Sequence, residues 1–222
     1  MTRYKIIHPE EYSAKQVDEI IAALPAWRRE ECLRFKQRQG RMENALAYWL
    51  LSEMMGYQPD FVRGEHGKPE VDLNHNLNHN HNLNVNHNHN LNHNLNLNVN
   101  HNLNFNLSHC KRAVACVISD DGKVGIDVEC LGRYKPQLAE YCMSDEELRQ
   151  IAEADDPDGE FTLLWTKKEA LLKMTGEGIT DDMKNCLTSP RAEGVEIECG
   201  INKERGYAWS VAVHNSQLIK WQ

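Results

Sequence analysis

Val124-Gly125-Ile126-Asp127-Val128-Glu129 sets two carboxylates two residues apart. Side chains alternate along a strand, so Asp127 and Glu129 share one face and Ile126 and Val128 the other. Like charges this close raise each other's pKa unless a cation, hydrogen bonds or water compensate. A hard divalent ion such as Mg²⁺ suits such a pair, because it takes a few carboxylates and leaves its other positions to water and phosphate oxygens. An edge strand with two solvated acids satisfies the same pattern, and D-x-E alone does not choose between them. Further on, Trp165, Glu169 and Lys173 recur at i, i+4 and i+8 in a stretch whose apolar side is marked by Leu163, Leu164, Leu171 and Leu172. That spacing puts a third oxygen donor and a cation along one helix face. The plainer reading is an exposed Glu-to-Lys pair, worth about a few tenths of a kcal/mol.

Taken together, the two stretches resemble the 4′-phosphopantetheinyl transferases of the surfactin-synthetase type. Members of that family carry G-[IV]-D-[IV]-E, then W-[ST]-x-K-E-[AS]-x-x-K and G-x-G. Gly125 to Glu129, Trp165 to Lys173, and Gly176 with Gly178 are the counterparts, in the family's order. Gly67-Lys68-Pro69 and Phe105-Asn106-Leu107-Ser108-His109 match two upstream signatures. The resemblance runs from about Arg28 to Ile179, with one large interruption, and loosely over the strand pattern that follows.

The resemblance implies transfer of the phosphopantetheine arm of coenzyme A to a serine of an acyl or peptidyl carrier protein. Mg²⁺ is then the expected cofactor, on Asp127, Glu129 and Glu169. Lys173 would neutralise or protonate the leaving phosphate. Arg28, Arg34, Lys68 and Pro69 would hold the 3′-phosphate and adenine of coenzyme A, and Ser108 and His109 its other phosphates. Lys168 would bind phosphate or orient Glu169. Glu147 falls on an acid that serves members as base or third metal-site acid, with a metal-bound water as the other base and Glu146 as the fallback acid. Glu43 departs from the pattern, standing where many members have arginine, and Arg38 or Arg41 could substitute from nearby. The implied fold is α+β, with two similar halves, each a small antiparallel sheet packed with helices, and the active site at their junction. The expected division is 1–72, an insertion at 73–106, and 107–222.

The positioning elements are legible in part. Tyr4 to Ile7 reads as a strand, and Val17, Ile20, Ile21 and Leu24 as an amphipathic helix that Pro25 helps to end. Leu46, Trp49, Leu50 and Met54 space a stronger helix closed by Gly56. Phe61 to Arg63 suggests another strand. Arg112 to Ser119, the turn Asp120-Asp121-Gly122 and Lys123 to Glu129 read as a hairpin that would pair the acidic strand. Ser144 with Glu147 three residues on is a capping box, which by itself explains Glu147 structurally. Gly194 to Cys199 and Tyr207 to Val213 alternate like strands of a closing sheet.

The 222 residues suffice for a core without staples. No apolar run approaches the roughly 20 residues of a membrane span, and the amino terminus lacks a signal-peptide core. Seven scattered cysteines without a C-x-x-C pair suit reduced thiols and a cytoplasmic protein. A net charge of −8 argues against a general nucleic-acid binder. Between Trp27 and Arg41, however, six basic residues face two acids, a patch suited to a phosphate or an acidic partner, or to a solvated helix face. The chain is expected to act as a monomer.

From Asn74 to Asn106 every even position is Asn, 17 in all, and the odd positions hold only Leu, His, Val or Phe. Period two imitates a strand, but Asn is depleted in strands and the run has no turn residues to fold it back. It reads as a disordered low-complexity insertion. Seven of the eleven histidines lie in it. Imidazole suits Zn²⁺, Ni²⁺ and Cu²⁺, so a non-catalytic metal-binding protein on a degenerate transferase scaffold is the rival expectation.

Overall fold

The computed structural model describes residues 1–63, 69–72, 103–176, 178, 183–214 and 218–221. Lys68 and the alternating run up to residue 102, with its seven histidines, lie outside them. The chain opens with β1 (Thr2–Ile7), α1 (Ala14–Ala23), α2 (Ala26–Arg34) and α3 (Arg38–Met55). A small pair, β2 (Phe61–Arg63) and β3 (Pro69–Val71), precedes β4 (Asn104–Cys110) and β5 (Ala113–Ser119). The second series is β6 (Val124–Cys130), α4 (Pro136–Cys142), α5 (Asp145–Glu153), α6 (Pro157–Thr175), β7 (Val195–Asn202) and β8 (Tyr207–His214). β9 (Leu218–Lys220) returns to lie parallel to β1.

The sheet orders are β4-β5-β1-β9 and β6-β8-β7. Apart from the β2–β3 pair and the returning β9, each half runs strand, three helices, two strands, and the second of those two strands, β5 or β8, lies antiparallel between its two neighbours. This is the expected α+β architecture of two similar halves.

Alternation along the strands builds the layers. Ala113, Ala115 and Val117 of β5 meet Val124, Ile126 and Val128 of β6 and Val211 and Val213 of β8 in one core between the sheets. The alternate residues Val114, Cys116 and Ile118 pack outward on Leu46, Leu50 and Met54 of α3. Phe161, Leu164, Leu171 and Leu172 of α6 form a third core with α4, α5 and Ala212 of β8. Local signals fix the helix ends. Ser13 and Ser144 close capping boxes, and Gly56 and Gly176 take the left-handed conformation that terminates α3 and α6.

Two expectations change. β4 and β5 belong to the sheet of β1, so a boundary at 106/107 would cut the first sheet, and the crossing between halves falls at residues 120–123. Asn104, Phe105 and Asn106, read as the end of the insertion, are the start of β4. The 113–129 hairpin also does not form. Both edges of β5 are occupied, by β1 and β4, and β6 crosses to pair with β8 instead. The acids of the turn, Asp120 and Asp121, receive the amino-terminal ammonium.

Candidate active site

The acidic strand β6 is an edge of its sheet, and so is β4 of the other. The two edges meet through side chains. Asn106 Oδ1 accepts from the Ile126 amide at 3.0 Å and Ser108 Oγ from the Val128 amide at 3.2 Å. These bonds occupy backbone donors that an edge strand would otherwise expose.

Gly125 sets the spacing on the other side of β6. A Cβ there would stand 1.9 Å from the Ala170 carbonyl oxygen and 2.6 Å from the Met174 nitrogen, so only glycine lets α6 lie this close. The close approach delivers the stripe predicted along that helix. Lys173 Nζ lies 2.6 Å from Asp127 Oδ1 and 3.1 Å from Ser108 Oγ. Ser108 Oγ in turn donates to Asp127 Oδ1 at 2.9 Å.

Asp127 is buried, and its Oδ2 has no hydrogen-bond partner among the described residues, nor has the buried Oε1 of Glu169. Burial first, then the Asp127 charge, push the Glu169 carboxyl above the ordinary carboxylate range, with Lys173 opposing. The same two causes raise Glu129, with Arg133 opposing through an ion pair. Three acids thus crowd one site with fewer cations than would settle them. Among the described residues no three acids, histidines or cysteines stand converged as a ready metal cluster. Lys173 is paired with Asp127, and Arg133 with Glu129. The partnerless buried oxygens nevertheless suit a cation, since a buried carboxylate oxygen without a donor is costly.

Other expected site residues are placed elsewhere or otherwise employed. Glu147 does not join the cluster. Its Oε2 accepts from the Ser144 amide and pairs with Lys168 Nζ, both at 2.7 Å. Lys168 is fully buried and also donates to the carbonyls of Met183 (2.6 Å) and Lys184 (3.2 Å), so it joins α5, α6 and the turn at 183–184 rather than facing a phosphate. Ser108 is buried and engaged by Asp127, Lys173 and β6, a bracket for the acid. Arg28 is held between helices by Glu31 at 2.7 Å, the Asn44 carbonyl at 3.2 Å and the Tyr48 ring, which removes it from an exposed nucleotide surface. Arg34 is exposed at the end of α2. Pro69 opens β3. His109 points toward α3, where it meets Glu43. Sequence reasoning missed Arg133, whose only signal is its i+4 spacing from Glu129, and Asn106, whose role the surrounding repeat concealed.

The geometry is that of an acid cluster with a lysine at a junction of two similar halves. Residues 123–220, from the start of β6 to the end of the chain's last strand, match the model of the 4'-phosphopantetheinyl transferase superfamily. Over this second half the chain is similar to that superfamily. Phosphopantetheinyl transferases also appear among similar proteins. A 4'-phosphopantetheinyl transferase of Bacillus subtilis is 24% identical over 190 residues, 81% of this chain and 72% of the relative. The L-aminoadipate-semialdehyde dehydrogenase-phosphopantetheinyl transferase of Saccharomyces cerevisiae is 36% identical over 75 residues, 32% of this chain and 28% of the relative. Both Asp127 and Lys173 lie within the segment that matches the superfamily. No described helix is long and apolar enough to cross a membrane.

Proposed function

We propose that this protein is a phosphopantetheinyl transferase that moves the 4′-phosphopantetheine arm of coenzyme A to a serine of an acyl or peptidyl carrier protein, in a Mg²⁺-dependent reaction of the surfactin-synthetase type. The observation that carries the reading is the pair of buried, partnerless carboxylate oxygens on Asp127 and Glu169 beside Lys173. Asp127, Glu129 and Glu169 would hold Mg²⁺, which supplies charge neutralisation at the donor's pyrophosphate.

The chain's own groups do the rest. The serine oxygen bonds to the β-phosphorus as the bond from that phosphorus to the bridging oxygen breaks, and adenosine 3′,5′-bisphosphate leaves with the electron pair. Lys173, partly exposed and already fixed on Asp127 and Ser108, neutralises charge on that leaving phosphate. The serine proton would leave by way of Glu169, through the carboxylate oxygen that the cation leaves free. Glu147, tied to Ser144 and Lys168, serves as structure instead of as base. The exposed basic surface of α2 and the following turn, with Arg29, Arg34 and Lys36, would attract the phosphates of the donor or an acidic carrier.

The test is the intact mass of apo carrier proteins after incubation with this protein, coenzyme A and Mg²⁺, with a chelator control. A metal-dependent gain equal to one phosphopantetheine group is expected. No gain on acyl or peptidyl carriers would overturn the reading.

A further inference from the structure

One carboxylate near the junction has no part in the chemistry above. Glu43 sits on the face of α3 that meets the end of β4, with its side chain only 13% exposed. Its Oε2 is 3.2 Å from His109 Nδ1, and its Oε1 accepts a 2.7 Å hydrogen bond from Gln39 Nε2. Gln39, one turn earlier on the same face, also reaches the Lys111 carbonyl at 3.5 Å, so α3 grips the strand end at two points. Burial opposes ionisation of Glu43, but the bonds from His109 and Gln39 outweigh it and hold the carboxyl below its ordinary range. An ionised carboxylate only accepts, so Nδ1 of His109 carries the hydrogen directed at Glu43. The opposite nitrogen, Nε2, is thereby turned away from α3 on a ring that is 40% exposed. The preceding residue, Ser108, is fixed on the other face of the strand by Asp127 and Lys173.

We propose that Glu43 is a positioning residue for binding the donor's phosphates: it holds the His109 ring with Nε2 outward, where that nitrogen meets a phosphate oxygen. The inference rests on the transfer reading, which makes coenzyme A the anion. Glu43 is then no vacancy in a basic surface. With Nδ1 committed to Glu43, the outward Nε2 is the ring nitrogen left to face the anion.

The test uses the full chain, with coenzyme A binding by calorimetry for the wild type, Glu43→Gln, Glu43→Arg, His109→Ala and the Glu43→Gln/His109→Ala double variant. Nitrogen-15 shifts of the His109 ring are recorded on the ligand-free proteins, and urea unfolding confirms that each variant folds. The wild-type ring is expected to show hydrogen on Nδ1, and Glu43→Gln to lose that single state. Glu43→Gln should weaken coenzyme A about tenfold, the size of one weakened charge-assisted hydrogen bond. His109→Ala should weaken it at least as much, and the double variant no further, because the two residues act as one unit. Glu43→Arg should also weaken binding. Tighter binding by Glu43→Arg, or wild-type affinity in Glu43→Gln while His109→Ala loses it, would overturn the positioning role and leave the transfer reading standing. A wild-type protein that does not bind coenzyme A would overturn both, and the ring shifts would then report only the Glu43 contact.

Discussion

Two lysines of α6 each pair with a carboxylate from another element, and the pairs are built to opposite ends. Lys168 is sealed, with its ammonium divided among Glu147 and two carbonyl oxygens while Glu147 also closes a helix cap. Lys173 is partly exposed, its partner Asp127 keeps a buried oxygen without a donor, and two further acids press on the same spot. A buried pair with every valence met is fold, whereas a buried acid left short of donors is poised for something that arrives from outside. Five residues along one helix separate the two outcomes, and sequence alone presents both as a lysine near a glutamate.

Breaking the sealed pair should have the largest effect on stability. Lys168→Met leaves Glu147 buried without its cation and should destabilise the protein by about 3–5 kcal/mol in urea unfolding. If Lys168→Met unfolds like the wild type, the contrast between the pairs disappears. At the open pair the large effect moves to activity. Asp127→Asn should lower transfer at least about 100-fold, the scale for removing one preorganised charge from a reacting site. Its unfolding free energy should stay within about 1 kcal/mol of wild type, because Asn keeps an acceptor and Lys173 reaches water.

A smaller effect sharpens the sign of the strain. The folded-state pKa values of Glu129 and Glu169 are raised, so the folded protein binds protons more tightly than the unfolded chain. The contribution of these two acids to the stability of the metal-free protein should therefore increase as pH falls from neutrality through those raised values, and level off below the unfolded carboxylate range, which the difference between wild type and Glu169→Gln isolates for Glu169. By the same logic Glu169→Gln should raise the melting temperature of the metal-free protein at neutral pH while lowering transfer. A lower melting temperature would mean that the acids are compensated after all. The smallest effect is expected from excising residues 76–101, which should leave transfer largely intact when β4 from Asn104 onward is kept.

Much of this arrangement was legible where a short-range rule carries the information. The strand alternation of β6, the i, i+4 stripe of α6, the capping box at Ser144 and the closing glycine at 56 are set within a few residues. Pairing partners were not legible in the same way. Asp120-Asp121-Gly122 is as good a hairpin turn as any, yet β1, distant in sequence, already occupies the edge of β5 that a hairpin would need. Asn106 was hidden for a different reason: its neighbours repeat its pattern, and only the meeting of β4 with β6 gives its amide a partner. Glu147 and Lys168 satisfy a functional motif and a structural one at once. Three-dimensional burial, absent from the sequence, decides between them.

The most direct test of the site is the carrier-protein mass experiment run with the wild type, Asp127→Asn and Glu169→Gln side by side, each verified as folded. Conversion of apo carrier by the wild type and almost none by either variant is the predicted result. Wild-type conversion by folded Asp127→Asn would contradict the assignment of the reaction to the junction between the two halves.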